Sequence, residues 1–341
     1  MSAERPEHRQ FHDFLARHRT FLLTTHINPD GDGLGSEAAL SLWLSAQGRR
    51  VRILNDSVVP PQFAFLARHT VFEVFDPGVA EQRLVEADAL IVLDTSNRQR
   101  IGRLAPLLDR TTIPVAVVDH HVSHARGFGH VNVIEPEASA TGEILFELFR
   151  QVPGTVTEEI AEALYIALMT DTGSFRYSNT DTHAHRMAAE LLGYGLDPQR
   201  LWSQVHAQAS AGRLRFFGEV LSALELDVDG RLVVLDARPE QFQRHGLVGA
   251  DTDGLVDMPR SIVGVEAVVL FSEVEPGKVK VSLRSTGRVA IDTIASKLGG
   301  GGHVHAAGVL LRGTRAEARE RVLPELKKRI EELPADARVA W

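Results

Sequence analysis

The sequence contains no cysteine, which excludes disulfide scaffolds, thiolate zinc sites, cysteine-ligated iron–sulfur clusters and a cysteine nucleophile. Any bound metal must therefore be held by histidine and carboxylate side chains. No apolar run approaches the roughly 18 residues that a membrane-spanning helix needs, and the first ten residues have no apolar core. We therefore expect neither a transmembrane helix nor a signal peptide, and we expect a cytoplasmic protein.

Lysine is scarce, and charged residues are unevenly placed. All five lysines lie in the last 64 residues, and residues 1–186 carry 24 acidic and 17 basic side chains. Long nucleic acids are held by cations that neutralise many phosphates, so the acidic first half argues against such a partner. The 341 residues are 44% hydrophobic and 24% charged, which is ordinary for a globular protein with about two domains.

Short apolar runs alternate with amphipathic stretches through the first half, which predicts an α/β domain with a parallel sheet covered on both faces. Its strands are predicted at 20–25, 51–54, 89–94 and 115–119, and its helices at 36–47, 141–150, 158–170 and 182–193. A second region has an amphipathic stretch at 213–226, strands at 232–236, 262–271 and 279–284, a glycine-rich loop at 299–302 and a helix at 315–333. We predict domains over 1–190 and 213–341, joined by a linker over 191–212.

The first site candidate is the segment HINPDGDGLGS at 26–36, which follows a predicted strand and precedes a predicted helix. That place is the carboxyl edge of a parallel sheet, where ligands bind. The segment presents His26, Asp30 and Asp32 close together, a grouping that is costly without a cation, and its glycines are interpreted as turn residues. The alternatives are a polar turn with a helix-capping aspartate and a dinucleotide-binding loop. The spacing G-x-G-x-G and the two carboxylates disfavour the dinucleotide loop.

Acidic and imidazole side chains also end two further predicted strands and one predicted helix. Asp94 ends one strand, Asp119, His120 and His121 end the next, and Asp171 ends the helix. Taken alone, Asp94 is typical of a cap and Asp171 of a solvated turn, but a parallel sheet brings its strand ends to one edge. Together these oxygen and nitrogen donors suit manganese or magnesium, with zinc or cobalt as alternatives. Two such cations would serve phosphoester hydrolysis.

A second candidate site lies in the second region. Four consecutive glycines, Gly299–Gly302, precede His303 and can expose backbone N–H groups to a phosphate. Such a run is also typical of a flexible loop. Arg284, in a preceding predicted strand, adds a guanidinium that can form two hydrogen bonds with one phosphate.

Six motifs carry a family resemblance, and they are HINPDGDGLGS, LDTS, DHH, PEASATGEI, DTGSFRYSNT and GGGGHVHAAG. In this order they resemble the DHH phosphoesterase family, in the branch with a DHH-associated second domain. Within that branch the chain resembles the NrnA-like group of nanoRNases, pAp phosphatases and soluble cyclic-dinucleotide phosphodiesterases. The resemblance implies a larger N-terminal parallel-sheet domain, a helical linker and a smaller C-terminal α/β domain, with the active site in the cleft between them.

The resemblance also implies two Mn²⁺ ions per active site, for which Mg²⁺ or Co²⁺ could substitute. One ion would be held by His26, Asp30 and Asp94. The other would be held by Asp32, Asp94, His120 and Asp171, so that the Asp94 carboxylate is shared.

Further roles follow from the same resemblance. Asp94 and His120 would serve catalysis through the ions. Asp119 would orient His120 or support the metal ligands from behind. His121 would face the substrate phosphate, either as a general acid or as a group that stabilises charge. The residues implied to bind the far phosphate or the nucleotide end are Arg284, Gly301, Gly302 and His303.

The implied activity is hydrolysis of short oligonucleotides of two to five nucleotides to nucleoside 5′-monophosphates, dephosphorylation of pAp, or both. Cyclic di-AMP and pApA are alternative substrates.

Three other functions are disfavoured. The GGGGH motif argues against a manganese pyrophosphatase, and the acidic surface argues against a long single-strand exonuclease. The complete ligand set argues against a non-catalytic nucleotide sensor. A homodimer is implied by the resemblance alone, and neither a membrane nor a long duplex is an expected partner. Two positions depart from the family pattern: His124, where Asn is frequent, and Ala140, where Ser is usual.

Overall fold

The computed structural model describes residues 5–121, 127–152, 156–247, 252 and 254–334, and the side chains of Val274 and His303 are not among the described groups. Contacts divide the chain into two compact units, Met1–Gln208 and Ala209–Trp341. Each unit contains a six-stranded sheet. Over these described ranges, no helix has both the length and the apolar composition that crossing a membrane requires.

The sheet of the first unit is parallel throughout, as the alternating pattern predicts. Its strands are β1 (Thr20–Thr24), β2 (Arg50–Asn55), β3 (Phe72–Val74), β4 (Ala89–Leu93), β5 (Val115–Asp119) and β6 (Val131–Ile134). They lie in the order β3-β2-β1-β4-β5-β6. The central strands β1, β4 and β5 are buried along their whole length because apolar side chains cover both faces of the sheet.

Helices pack on both faces of this sheet. They are α1 (Pro6–Arg17), α2 (Gly31–Ala46), α3 (Pro77–Glu86), α4 (Thr141–Arg150), α5 (Glu158–Asp171), α6 (Thr182–Leu192) and α7 (Pro198–His206). Two 3₁₀-helical segments, Pro61–Arg68 and Arg98–Arg110, lie between strands. The sequence does not predict the edge strands β3 and β6. They are short and only half-buried, and therefore lack a long apolar run.

The second unit has a mixed sheet. Its strands are β7 (Glu225–Asp227), β8 (Leu232–Ala237), β9 (Ala267–Glu275), β10 (Lys278–Ser285), β11 (Gly301–His303) and β12 (Ala306–Arg312). They lie in the order β11-β12-β10-β9-β8-β7, with β8 and β9 parallel and the other pairs antiparallel. The helices are α8 (Ala211–Ser222), α9 (Pro239–His245), α10 (Asp292–Lys297) and α11 (Arg315–Glu331).

Two local predictions for this unit are wrong. The strand predicted from residue 262 begins at Ala267, because Leu255–Ser261 forms a 3₁₀ helix that ends at Ile262. The loop predicted over 299–302 ends in strand β11, which pairs with β12. The amide N–H groups of Gly299 and Gly300 end α10 by donating to Ser296 and Ala295 carbonyls, so they are already engaged.

The glycines at the start of α2 are helical residues, and the prediction that they form turns is wrong. A β-carbon at Gly35 would lie 2.5 Å from the Ala163 carbonyl oxygen of α5, and one at Gly33 would lie 2.5 Å from Thr25 Oγ1. Both distances are shorter than van der Waals contact allows. These glycines therefore let α2 approach α5 and the end of β1, which brings the start of α2 close to the end of α5.

We predict that Gly35→Ala destabilises the first unit by about 1–3 kcal/mol, because the added methyl group must push α5 away. The urea unfolding midpoint, followed by fluorescence of Trp43 in α2, measures the change. Gly218→Ala is the matched control at an exposed position of α8, where a β-carbon meets no described atom within 4 Å. That control should be neutral or slightly stabilising. Equal effects of the two substitutions would contradict the close-packing role of Gly35.

Candidate metal centre

Three neighbouring strand ends deliver side chains to one edge of the parallel sheet. His26 lies two residues beyond β1, Asp94 directly follows β4, and Asp119 is the last residue of β5. Asp94 has a φ of 60°, which is rare for a residue with a side chain and turns the chain sharply at this edge. Strained backbone of this kind is concentrated at functional sites.

The N-termini of two helices hold the acidic side chains of α2. The Asp30 carboxylate caps α2 by accepting from the N–H groups of Asp32 and Gly33, each at 3.1 Å. Asp32 is buried, and its carboxylate accepts from the N–H groups of Thr141 at 2.7 Å and Gly142 at 3.0 Å. These two donors begin α4, so the positive end of that helix dipole stabilises the Asp32 charge.

The departure at Ala140 has a structural explanation in the same contact. Ala140 is the N-cap residue of α4 and has no side chain able to cap the helix. Because Asp32 accepts from the first two helical N–H groups, the missing Ser side chain is replaced by a carboxylate from α2. His124, the other departure, lies outside the described residues.

Asp94 lies between two imidazole rings. Its Oδ2 atom is 3.3 Å from His26 Nε2, and its Oδ1 atom is 3.7 Å from His120 Nε2. Asp30 Oδ2 lies 3.7 Å from His26 Nε2. Asp171, the last residue of α5, places Oδ2 at 3.5 Å from His120 Nε2. The structure thus brings together the residues that the sequence analysis assigned to two cation sites.

The donor atoms form three compact groups. Within each group the donor atoms lie within 4.8 Å of one another. The groups are His26 with Asp30 and Asp94, Asp32 with His120 and Asp171, and Asp94 with His120 and His121. The first two match the predicted sets, apart from the shared Asp94 in the second.

The imidazole rings are oriented as cation ligands require. His26 Nδ1 lies 2.9 Å from the Ile27 carbonyl and His120 Nδ1 lies 3.1 Å from the Ala138 carbonyl, so each Nδ1 must carry the proton. Each Nε2 then presents a lone pair in the neutral ring. Both Nε2 atoms are buried and have no hydrogen-bond partner among the described residues. A divalent cation would satisfy these atoms, so the donor set fits metal binding.

The carboxylates raise one another's affinity for positive charge. Burial, followed by the charges of Asp94 and Asp171, raises the pKa of Asp32 well above its usual range. Burial also raises the pKa of Asp171 to about 6. Burial alone would lower the pKa of His26, but the carboxylates of Asp30 and Asp94 raise it to about 10. Without a bound cation, protons on His26, Asp32 and Asp171 would offset part of the negative charge of this cluster, and a cation would replace them.

The partner of Asp119 differs from expectation. Asp119 Oδ1 accepts from the backbone N–H of His121 at 3.1 Å and lies 2.7 Å from its Nδ1. It therefore orients His121, and the prediction that it orients His120 is wrong. The side chain of Asp119 binds the N–H two residues ahead, in an Asx-type turn, which places His121 rather than His120 against the carboxylate. The hydrogen bond with Asp119 raises the pKa of His121.

A buried glutamate that the sequence analysis missed supports the end of β1. Glu37 of α2 is fully buried, and its Oε2 accepts from Asn55 Nδ2 at 2.7 Å. Asn55 Oδ1 in turn accepts from the Thr25 N–H at 3.1 Å, next to His26. Burial raises the pKa of Glu37 to about 8. The signal in the sequence is a single glutamate within an otherwise apolar stretch of helix.

The second unit contains a separate cationic cavity of about 260 Å³. Arg284, Lys280 and Gly301 are among its lining residues. The guanidinium of Arg284 is held by Asp257, whose Oδ1 accepts from Nε at 3.1 Å. Gly302 lies in β11 with a φ of 142°, and a β-carbon there would lie 2.4 Å from the Ala306 carbonyl.

His303 ends β11 and pairs with Ala306. The side chain of His303 is not among the described groups, so its role in substrate binding stays a prediction.

Comparison with known proteins identifies the family. The family model "DHH family, N-terminal domain" matches residues 20–168, and the "DHHA1 domain" model matches residues 232–333. A "Bifunctional oligoribonuclease and PAP phosphatase NrnA" from Thermus thermophilus is 34% identical over 318 residues, covering 90% of this chain and 89% of the relative. The chain belongs to the DHH family.

Further relatives of this DHH protein span almost its whole length. A protein of the same name from Bacillus subtilis is 25% identical over 320 residues, covering 92% of this chain and 95% of the relative. The crystal structure of "an exopolyphosphatase-related protein" from Bacteroides fragilis superposes with a TM-score of 0.90 at 26% identity, covering 97% of this chain and 100% of that chain. This DHH protein is therefore a metal-dependent phosphoesterase, and the predicted class of enzyme is confirmed.

The Glu37 carboxyl group predicts a specific pH dependence of stability. Its pKa is raised in the folded state, so its stabilising contribution is complete below about pH 4.5 and is lost as the pH rises to about 8. Glu37→Gln keeps an acceptor for Asn55. Relative to this variant, the free energy of unfolding of the wild type should fall by on the order of 2–5 kcal/mol between pH 5 and pH 8. Urea unfolding in the presence of a chelator at both pH values measures this difference.

Glu7→Gln, which alters an exposed glutamate of α1, controls for the change in net charge. The Glu7 variant should follow the wild type across this pH range. A wild type and Glu37→Gln variant with parallel pH dependence would show that Glu37 is not protonated in the folded protein.

Proposed function

We propose that this DHH protein hydrolyses short oligonucleotides to nucleoside 5′-monophosphates, dephosphorylates pAp, or does both. The observation that carries the proposal is the Asp94 carboxylate, whose two oxygens face the unpartnered Nε2 atoms of two different histidines. Such a shared carboxylate suits two adjacent cations, the arrangement that serves phosphoester hydrolysis. The names of the Thermus thermophilus and Bacillus subtilis relatives support this substrate class.

The proposed ligand sets use the groups described above. His26, Asp30 and Asp94 would hold one Mn²⁺, and Asp32, Asp94, His120 and Asp171 would hold the other, with Mg²⁺ or Co²⁺ as substitutes. When bound, these cations would supply an activated water and stabilise negative charge on the phosphoryl oxygens. Carboxylate and imidazole donors without thiolates agree with this choice of metals.

His121 supplies the proton in the proposed reaction. Asp119 holds Nδ1 of the ring, so Nε2 is the nitrogen left to face the substrate. The raised pKa keeps the imidazole protonated closer to neutral pH, which suits a general acid that donates to the departing oxygen. In the second unit, Arg284 and the β11 glycines Gly301 and Gly302, together with His303, would bind a further phosphate or the nucleotide end. The homodimer and the cytoplasmic location stay predictions.

We predict that Asp94→Asn abolishes hydrolysis, with a loss on the order of 1000-fold or more in kcat, because the shared ligand is lost. Asn tolerates the positive φ at this position and can still accept from the Thr141 hydroxyl, so the fold should persist. Initial rates measure the loss of hydrolysis, and circular dichroism measures whether the fold persists. Titration with Mn²⁺ measures the effect of losing the shared ligand. Asp109→Asn, at an exposed aspartate paired with Arg98, should leave kcat unchanged. Undiminished turnover by Asp94→Asn would refute the shared-ligand assignment.

A substrate panel separates the proposed activity from its alternatives. Purified protein in Mn²⁺ is assayed at equal concentrations on pAp, pApA, cyclic di-AMP, a five-nucleotide RNA, a long single-stranded RNA, pyrophosphate and a short polyphosphate. We expect the highest kcat/KM on pAp or the five-nucleotide RNA and a much lower kcat/KM on the long RNA. A preference for cyclic di-AMP would favour the dinucleotide phosphodiesterase. A preference for pyrophosphate or polyphosphate would contradict the nucleotide assignment.

A further inference from the structure

Arg100 lies at the catalytic edge of the sheet, in the connection that follows Asp94. It belongs to the 3₁₀-helical segment Arg98–Arg110, and its carbonyl oxygen accepts from the Ile27 N–H at 2.7 Å. Ile27 is the neighbour of His26, so this hydrogen bond ties the segment to the loop that carries a proposed ligand. The backbone of Arg100 is therefore fixed at the metal centre.

The charge of the Arg100 guanidinium reaches the His121 ring. The side chain is half-buried, and its charge acts on the His121 ring in the direction that lowers its pKa, against the larger effect of Asp119. Across the described ranges of the chain, no hydrogen bond or ion pair engages this guanidinium. By contrast, Arg98 pairs with Asp109 and Arg103 pairs with Asp56.

An unpaired guanidinium in this position has a clear chemical use. Partial burial removes some of the water that would solvate the charge, and no carboxylate replaces it. Its N–H groups form a planar fork that fits two oxygens of one phosphate. The acidic cluster repels an anionic substrate, so a cation placed beside it stabilises a bound phosphoryl group.

We propose that Arg100 binds the phosphoryl group of the substrate beside His121. This proposal rests on the proposed function, because it takes a phosphate ester as the substrate, and it adds a cation from the chain itself to the phosphate site. The residue acts by binding, and the proton of the general acid still comes from His121.

Titration with inorganic phosphate tests this proposal independently of the substrate. Calorimetry in excess Mg²⁺ compares the wild type with Arg100→Gln and Arg100→Lys. We expect Kd for phosphate to rise about 10- to 100-fold in Arg100→Gln, as for the loss of a charge-assisted hydrogen bond. Arg100→Lys keeps the charge but loses the planar fork, so its Kd for phosphate should lie between those of the wild type and Arg100→Gln. An unchanged Kd in Arg100→Gln would overturn the proposal.

Arg110→Gln is the matched control, since Arg110 is exposed at the far end of the same segment, next to the loop that enters β5. It should bind phosphate like the wild type. Titration of each variant with Mn²⁺ should give the wild-type Kd, which shows that the metal centre persists. A loss of phosphate binding in Arg110→Gln equal to that in Arg100→Gln would overturn the proposal.

The pH profile separates binding from an effect through His121. If Arg100 acts only by lowering the pKa of His121, Arg100→Gln should shift the alkaline limb of kcat/KM to higher pH while Kd for phosphate stays the same, and that result contradicts the proposal. If Arg100 binds the phosphoryl group, kcat/KM for pAp should fall across the whole profile. Should the wild type hydrolyse no nucleotide of the panel, the proposed function fails, yet the phosphate titration still decides the role of Arg100.

Discussion

Several aspartate carboxylates meet at one edge of the parallel sheet, and they repel one another. Asp32 and Asp94 are almost completely buried, where water cannot screen their charges. The chain answers this repulsion with fixed dipoles. The first N–H groups of α4 hold Asp32, and the Thr141 hydroxyl donates to Asp94 Oδ1 at 3.0 Å. Imidazole rings and the proposed cations would complete the neutralisation.

Close packing of α2 against α5 makes this arrangement possible. The sheet alone delivers only the side chains at the ends of β1, β4 and β5. Asp30 and Asp32 begin α2, whereas Asp171 ends α5, and the two helices approach closely because Gly35 has no β-carbon. The stacked rings of Trp43 and Phe149, 4.6 Å apart, hold α2 against α4 in turn. Backbone approach between helices therefore decides the spacing of the carboxylates.

Strand-terminal residues could be predicted from the sequence because an apolar run marks each buried strand and parallel strands end at one edge. This reasoning predicts the positions of His26, Asp94 and His120, and the end of an apolar helix predicts the position of Asp171. The partners of these residues depend on contacts between distant parts of the chain, which periodicity does not encode. Asp119 pairs with His121 because of the local turn, and Glu37 reaches Asn55 across 18 positions of sequence. The glycine run gives no periodic signal of its structure, because its backbone continues from the end of helix α10 into strand β11.

The charge distribution now has a physical interpretation. Residues 1–186 carry a net charge of −7, yet the proposed substrate is an anion. At physiological ionic strength, charges farther apart than about 8 Å are largely screened, so the overall acidity matters less than the groups that touch the phosphate. Divalent cations bound as proposed would invert the local sign of the acidic cluster, and the half-buried Arg100 would add a further positive charge there. Attraction confined to one point favours a small anion, whereas a long strand would need a continuous row of cations.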